Sequence, residues 1–105
     1  MNPVNKILGN RTTFDIISHN RTIIYMPIDK AYEMRRRGSV IGSMEPKRPP
    51  EMMQRIEQGI LRGHFEPIEA TTKELAEGRL QEGKHRILIA KKLGMKYVPI
   101  QIVDV

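Results

Sequence analysis

Lys84, His85 and Arg86 follow Gly83 directly and lead into the apolar run Ile87-Leu88-Ile89-Ala90. This order reads as a glycine turn feeding the first turn of a helix, with three cationic or titratable side chains at its mouth. A helix N-terminus already carries unpaired N–H groups and a partial positive charge, so an anion suits it. Three further donors make phosphate the leading ligand for the Gly83–Arg86 turn. Arg86 shares a helical face with Ala90 and Leu93, so its stem is expected to lie inward, holding the guanidinium near the helix start for bidentate phosphate contact. Lys84 offers a flexible point charge, while His85 titrates near neutrality and can bind phosphate oxygens or move a proton. Glu82, just before the glycine, has three readings: a ligand to Mg²⁺, a base beside the phosphate, or an ion-pair partner of Lys84 or Arg86.

Two other cation groups accompany this turn, Arg35-Arg36-Arg37 and Lys47-Arg48. Eighteen Lys and Arg against twelve Asp and Glu give the chain a formal charge of +6, with a pI near 9.9. A surplus of that size favours phosphate-bearing partners by long-range attraction. The arginine triplet has two readings, a phosphate contact or a cationic last helical turn favoured by the helix dipole. The 105 residues suit one domain with a modest core. The absence of cysteine removes disulfides, thiolate nucleophiles and cysteine-ligated zinc. No apolar run approaches the roughly 18 residues that span a bilayer. The first ten residues lack the apolar core of a secretory signal, so a cytoplasmic location is expected.

These side chains need elements to position them. Residues 1–21 read as an N-terminal extension with an apolar knot at Phe14, Ile16 and Ile17. Residues 22–28 are β-branched and aromatic and read as a strand that either lies at an edge or ends at Pro27. Asp29 is suited to N-cap a helix from Lys30 to Arg37 that Gly38 closes. Residues 38–50 are a Gly/Ser/Pro-rich loop, long for so small a domain. A helix then opens at Pro49-Pro50-Glu51, with Met52, Met53, Ile56, Ile60 and Leu61 expected on its core face and Gly63 at its C-cap. Residues 65–70 read as a second strand. Thr71–Gly78 is open between a capped helix and a wide hairpin loop. Arg79–Glu82 reads as a third strand, Lys84–Leu93 as a helix ending at Gly94, and residues 97–103 as the closing strand. The sum is a small α/β (α+β) domain, with a mixed sheet of about four strands and two or three helices.

Glu82-Gly83-Lys84-His85-Arg86, followed by a helix, Leu93-Gly94 and a Val98-Pro99 strand, resembles the signature of the ParB/sulfiredoxin superfamily. Ile24–Lys30 resembles the family's opening strand, and Gly63–Ile68 its glycine and "leucine-x-x-proline-isoleucine" strand. The likeness runs over residues 22–105, which it implies are a stand-alone ParB-like domain. The resemblance implies a nucleotide-phosphate pocket at Gly83–Arg86 that takes CTP, ATP or ADP, with Mg²⁺ as the accompanying ion. Arg35, Arg36 and Arg37 fall where ParB-like members carry a phosphate-contacting arginine loop. Some members are nucleases, and kinase-like members use acidic residues near the pocket, posts that Glu33 and Glu82 would fill here. A chain without cysteine departs from sulfiredoxin, which excludes sulfinic-acid reduction. The chain ending at Val105, without a helix-turn-helix, argues against partition-site binding.

The expected function is binding of nucleotide or nucleic-acid phosphates through Gly83–Arg86. Nuclease or nucleotide-hydrolysing activity is left open, with Glu82, His85 and Glu33 as candidate catalytic groups. The alternatives are a non-enzymatic DNA-binding or regulatory module and a protein-interaction adaptor that keeps the fold. The expected partners are a nucleotide or DNA and no membrane, with homodimerisation open.

Overall fold

The computed structural model describes residues 22–39 and 42–104. The expected N-terminal extension therefore lies outside the described residues, as do Val40 and Ile41 of the long loop. The elements run β1 (Thr22–Pro27), α1 (Ile28–Gly38), α2 (Pro50–Leu61), β2 (Ile68–Ala70), α3 (Thr72–Glu77), α4 (Lys84–Lys92) and β3 (Tyr97–Ile102).

The sheet order is β1-β3-β2. β1 runs antiparallel to β3 with Ile24 opposite Ile100, and β2 runs parallel to it with Ile68 opposite Ile100. The strand carrying Pro27 is thus an edge strand, where a missing N–H is tolerated. Phe65, Ile68, Leu80, Ile87, Val98 and Ile100 are fully buried and form the centre of the core. α1 packs on β1, β3 and α4, and α2 packs on α4. Two ion pairs hold α4 between the other helices: Lys91 to Asp29 of α1 at 3.2 Å and Lys92 to Glu57 of α2 at 2.8 Å.

The fold class is mixed α+β, but with three strands and four helices among the described residues. Arg79–Glu82 is not a strand. Its N–H groups are taken elsewhere, Leu80 N donating to Met34 O of α1 at 2.9 Å and Gln81 N to the Glu74 carboxylate at 3.2 Å. The second strand is also shorter than expected, because its first half is committed to a side chain described below. Thr71–Gly78 resolves as a helix: Thr71 caps α3 by accepting from Glu74 N at 3.1 Å, and Gly78 closes it with φ +71°.

Asp29 does not cap α1. Pro27 holds the N-cap position, and Asp29 sits in the first turn facing Lys91. On α2 only Ile60 is buried, with Met53 and Ile56 half-buried and Met52 and Leu61 exposed. Nine residues of helix turn roughly 180°, so Met52 and Leu61 cannot share a face. The C-cap there is Arg62, and Gly63 follows it with φ +95°.

Candidate functional site

Gly83 is the N-cap of α4 and adopts φ +95°. Any side chain there is excluded twice. The left-handed backbone disfavours it, and a Cβ would come within 2.7–2.8 Å of the Ile68 side chain. The turn therefore sits directly on β2. No side chain caps α4, and its first intrahelical bond runs from Ile87 N to Gly83 O at 2.9 Å. Helix geometry leaves the N–H groups of Lys84, His85 and Arg86 without an i−4 partner.

This helix start opens onto a cleft of about 540 Å³ lined by the side of α2 and the segment after it. Four cations (Arg48, Arg55, Lys84, Arg86), two carboxylates (Glu66, Glu82) and two histidines (His64, His85) line it. Four minus two leaves an excess of two positive charges with the histidines neutral. Arg48, Arg55 and Lys84 make no ion pair or hydrogen bond among the described residues.

Arg86 behaves differently. Its Nη1 donates to the Glu66 and Pro67 carbonyls at 2.8 and 2.9 Å, and its Nη2 donates to Glu82 Oε1 at 3.3 Å. The inward stem is as expected, but the fork binds the chain entering β2, occupying carbonyls that a neighbouring strand would otherwise take. Glu82 Oε1 also accepts from Glu69 N at 2.7 Å. Of its three readings the ion pair is the one seen, with Arg86 as partner. Glu82 thus ties the exposed edge of β2 to α4.

His85 Nε2 accepts a long bond from Lys47 N at 3.4 Å, which puts the ring proton on Nδ1. Burial holds its pKa below 6.5, helped by the charges of Arg48, Lys84 and Arg35. The neutral ring latches the loop before α2 onto α4.

The arginine triplet divides. Arg36 and Arg37 pair with Glu33 one turn back, Arg36 through Nε at 2.9 Å and through Nη2, and Arg37 at 3.4 Å. The Arg36 hydrogen bond lowers the Glu33 pKa. None of the three lines the cleft. Of the three, Arg35 is the one whose charge acts on His85, and its buried Nε and Nη1 atoms have no hydrogen-bond partner among the described residues. The structure therefore gathers Glu82, Gly83, Lys84, His85 and Arg86, brings Arg35 close behind them, and leaves Glu33, Arg36 and Arg37 outside.

Arg48, Arg55, Gly59, His64 and Glu66 complete the cleft without having been singled out as site residues. Arg48 stood out only as part of a charge concentration, and His64 and Glu66 only within a family-like stretch. Arg48 precedes α2 and Arg55 lies within it, so no helical spacing links the two in the sequence; the fold brings them to one cleft.

Among the described residues no three His, Cys, Asp or Glu side chains gather as a metal-ligating group. Mg²⁺ typically takes one or two carboxylates together with substrate phosphates. Glu66 and Glu82 are the carboxylates that line the cleft, and Oε1 of Glu82 is taken by Glu69 N and Arg86.

Comparison with known proteins brings no match: no family model, curated protein or solved structure is significantly similar to this chain.

Proposed function

We propose that this protein is a ParB-like, cytoplasmic binding module that takes a phosphate-bearing ligand, a nucleotide or a nucleic acid, in the cleft at the start of α4. One observation carries this reading: Arg48, Arg55 and Lys84 converge on an uncapped helix N-terminus, and none has a counter-ion among the described residues. Unpaired cations placed close together repel one another, and a phosphate relieves that repulsion while accepting the free N–H groups of α4. Lys84 and the backbone hold the phosphate, and Arg48 and Arg55 close over it from the side of α2. Arg86 fixes the turn and adds charge, and Arg35 contributes field from behind His85.

A binding module is favoured over a hydrolase by the state of the two groups that would do the chemistry. Glu82 Oε1 is engaged by Glu69 N and Arg86, and the His85 lone pair is engaged by Lys47 N. Both side chains are thus committed to holding the turn, with Glu82 Oε2 the one of these acceptors left without a hydrogen bond among the described residues.

Titration calorimetry with pyrophosphate, CTP, ATP and ADP, with and without Mg²⁺, tests both halves. Binding is expected to weaken at least tenfold in Lys84→Glu while the circular dichroism spectrum is kept. A charge-assisted contact of about 1.5–3 kcal/mol sets that size. An unchanged affinity in Lys84→Glu, or no heat with any of these ligands or with DNA, overturns the phosphate reading. Phosphate release by the wild type that disappears in Glu82→Gln overturns the non-enzymatic half.

A further inference from the structure

We propose that the surface formed by Arg48 and by the side of α2 bearing Arg55 and Arg62 receives the sugar-phosphate backbone of a nucleic-acid duplex, extending the phosphate seat at the start of α4 outward along the surface. This rests on the phosphate reading of the cleft. Arg48 lies in the segment just ahead of the helix, Arg55 in its middle and Arg62 at its C-cap. Within the helix the seven residues from Arg55 to Arg62 are about two turns, a drift of only ~20° around the axis. That step rises about 10.5 Å. All three side chains are exposed, and none has an ion pair or hydrogen bond among the described residues.

The stripe does not end where the cleft ends. Arg48 and Arg55 line the cleft and Arg62 does not. A ligand held wholly inside gains nothing from Arg62, whereas a polymer does. The two helical arginines alone stand about 10.5 Å apart, which spans several phosphates of a duplex strand at about 3.4 Å of axis each, and Arg48 adds a third cation on the cleft side. Glu51, four residues before Arg55, forms no ion pair with it, and Glu66 and Glu82 are the carboxylates that line the cleft beside Arg48 and Arg55.

Gly59 is an independent pointer. It lies on the same side between Arg55 and Arg62 and lines the cleft. A Cβ there would meet only the His64 carbonyl oxygen, at an ordinary 3.7 Å. Packing does not call for glycine, although glycine inside a helix is about 1 kcal/mol less favourable than alanine. Bare backbone at this point leaves room for a strand to lie close against the helix.

The form of the nucleic acid follows from what is missing beside the arginines. Among the described residues the exposed large apolar side chains are Met52, Leu61 and Tyr97, and Tyr97 opens β3 rather than standing on α2. No Phe, Tyr or Trp of the described residues stands on α2 or lines the cleft, so this surface offers cations for backbone contact to paired strands rather than large ring faces for stacking.

Fluorescence anisotropy with a labelled 20-base-pair duplex, run beside pyrophosphate calorimetry, is the test. Arg62→Glu is expected to weaken duplex binding at least fivefold and to lower the salt slope by about one, leaving pyrophosphate affinity unchanged. Gly59→Ala is expected to raise the melting temperature and still weaken duplex binding. DNA and RNA duplexes, a single strand and anionic phospholipid vesicles form the comparison arms. Unchanged duplex affinity in Arg62→Glu, a preference for the single strand, or vesicle binding without duplex binding overturns the proposal. Any of these alongside pyrophosphate binding that Lys84→Glu still weakens leaves the phosphate seat standing. Loss of that sensitivity as well brings down both.

Discussion

Two groups of basic residues occupy neighbouring helices, and they differ in whether their charge is already answered. On α1, Arg36 and Arg37 share the carboxylate of Glu33. In the cleft, Arg48, Arg55 and Lys84 face one another with no such partner among the described residues. Spacing alone does not produce the difference. Glu51 precedes Arg55 by the same four residues that separate Glu33 from Arg37, yet only the second pair forms. A helix offers the pairing, and its surroundings decide whether the arginine accepts it or turns to the cleft. Local charge density in a sequence therefore measures attraction to anions less well than the number of cations left over after pairing.

The comparison can be broken most severely at the glycine beneath the cleft. Gly83→Ala is expected to lower stability by about 3 kcal/mol, from left-handed backbone strain plus overpacking on Ile68, and to abolish pyrophosphate binding. Urea unfolding with calorimetry on the same sample reads both. Next comes Arg86→Ala. Removing a guanidinium that serves two carbonyls and a carboxylate is expected to cost about 2 kcal/mol, seen as a lower urea midpoint with little change in slope.

The pH response separates stability from binding. The His85 pKa lies below 6.5 in the folded protein. The unfolded chain therefore takes up the proton first as pH falls, so the contribution of this residue to stability is present above the unfolded value and is lost as pH falls below it through the lower folded value. A bound phosphate offsets the repulsion from Arg48, Lys84 and Arg35 and favours the protonated ring, so phosphate affinity rises over the same range. Opposite slopes in thermal melts and in titrations between pH 5 and 8, both flattened in His85→Gln, are the expected result. Parallel slopes would remove His85 from the site.

The smallest effect should come from α1. The double variant Arg36→Ala/Arg37→Ala breaks exposed pairs worth at most about 1 kcal/mol and is expected to change pyrophosphate affinity by less than twofold. A larger loss would erase the distinction between the two groups.

Much of the frame was readable because it is local. The β-branched run of β1, the amphipathic core of α2, the capping pair Thr71 and Glu74, and the glycine opening α4 each state their conformation within a few residues. What escaped depends on partners distant in sequence. Arg79–Glu82 has strand-like residues, but Met34 and Glu74 take its N–H groups. Residues 65–67 lack a strand neighbour because the Arg86 guanidinium holds the Glu66 and Pro67 carbonyls. Asp29 has a capping side chain, yet Lys91 engages it from sixty-two residues away. The site followed the same division. Gly83–Arg86 is contiguous and was visible. Arg55 and Gly59 belong to it only because α2 packs on α4, and the exclusion of Glu33 is visible only once its two arginine partners are known.

The order β1-β3-β2 has a consequence for how the chain is made. The strand in the middle of the sheet is the last of the three to be synthesised. Until Tyr97–Ile102 leaves the ribosome, β1 and β2 have no strand to pair with among the described residues, and the edge of β1 waits through the making of all four helices. Closing the sheet joins Thr22 to Ile102, a long-range contact of the kind that slows folding. A nascent chain in this state exposes unpaired edges, which is when association with other chains is easiest. Ribosome-bound chains arrested before β3 are thus the species in which aggregation, or a chaperone's grip, should be sought.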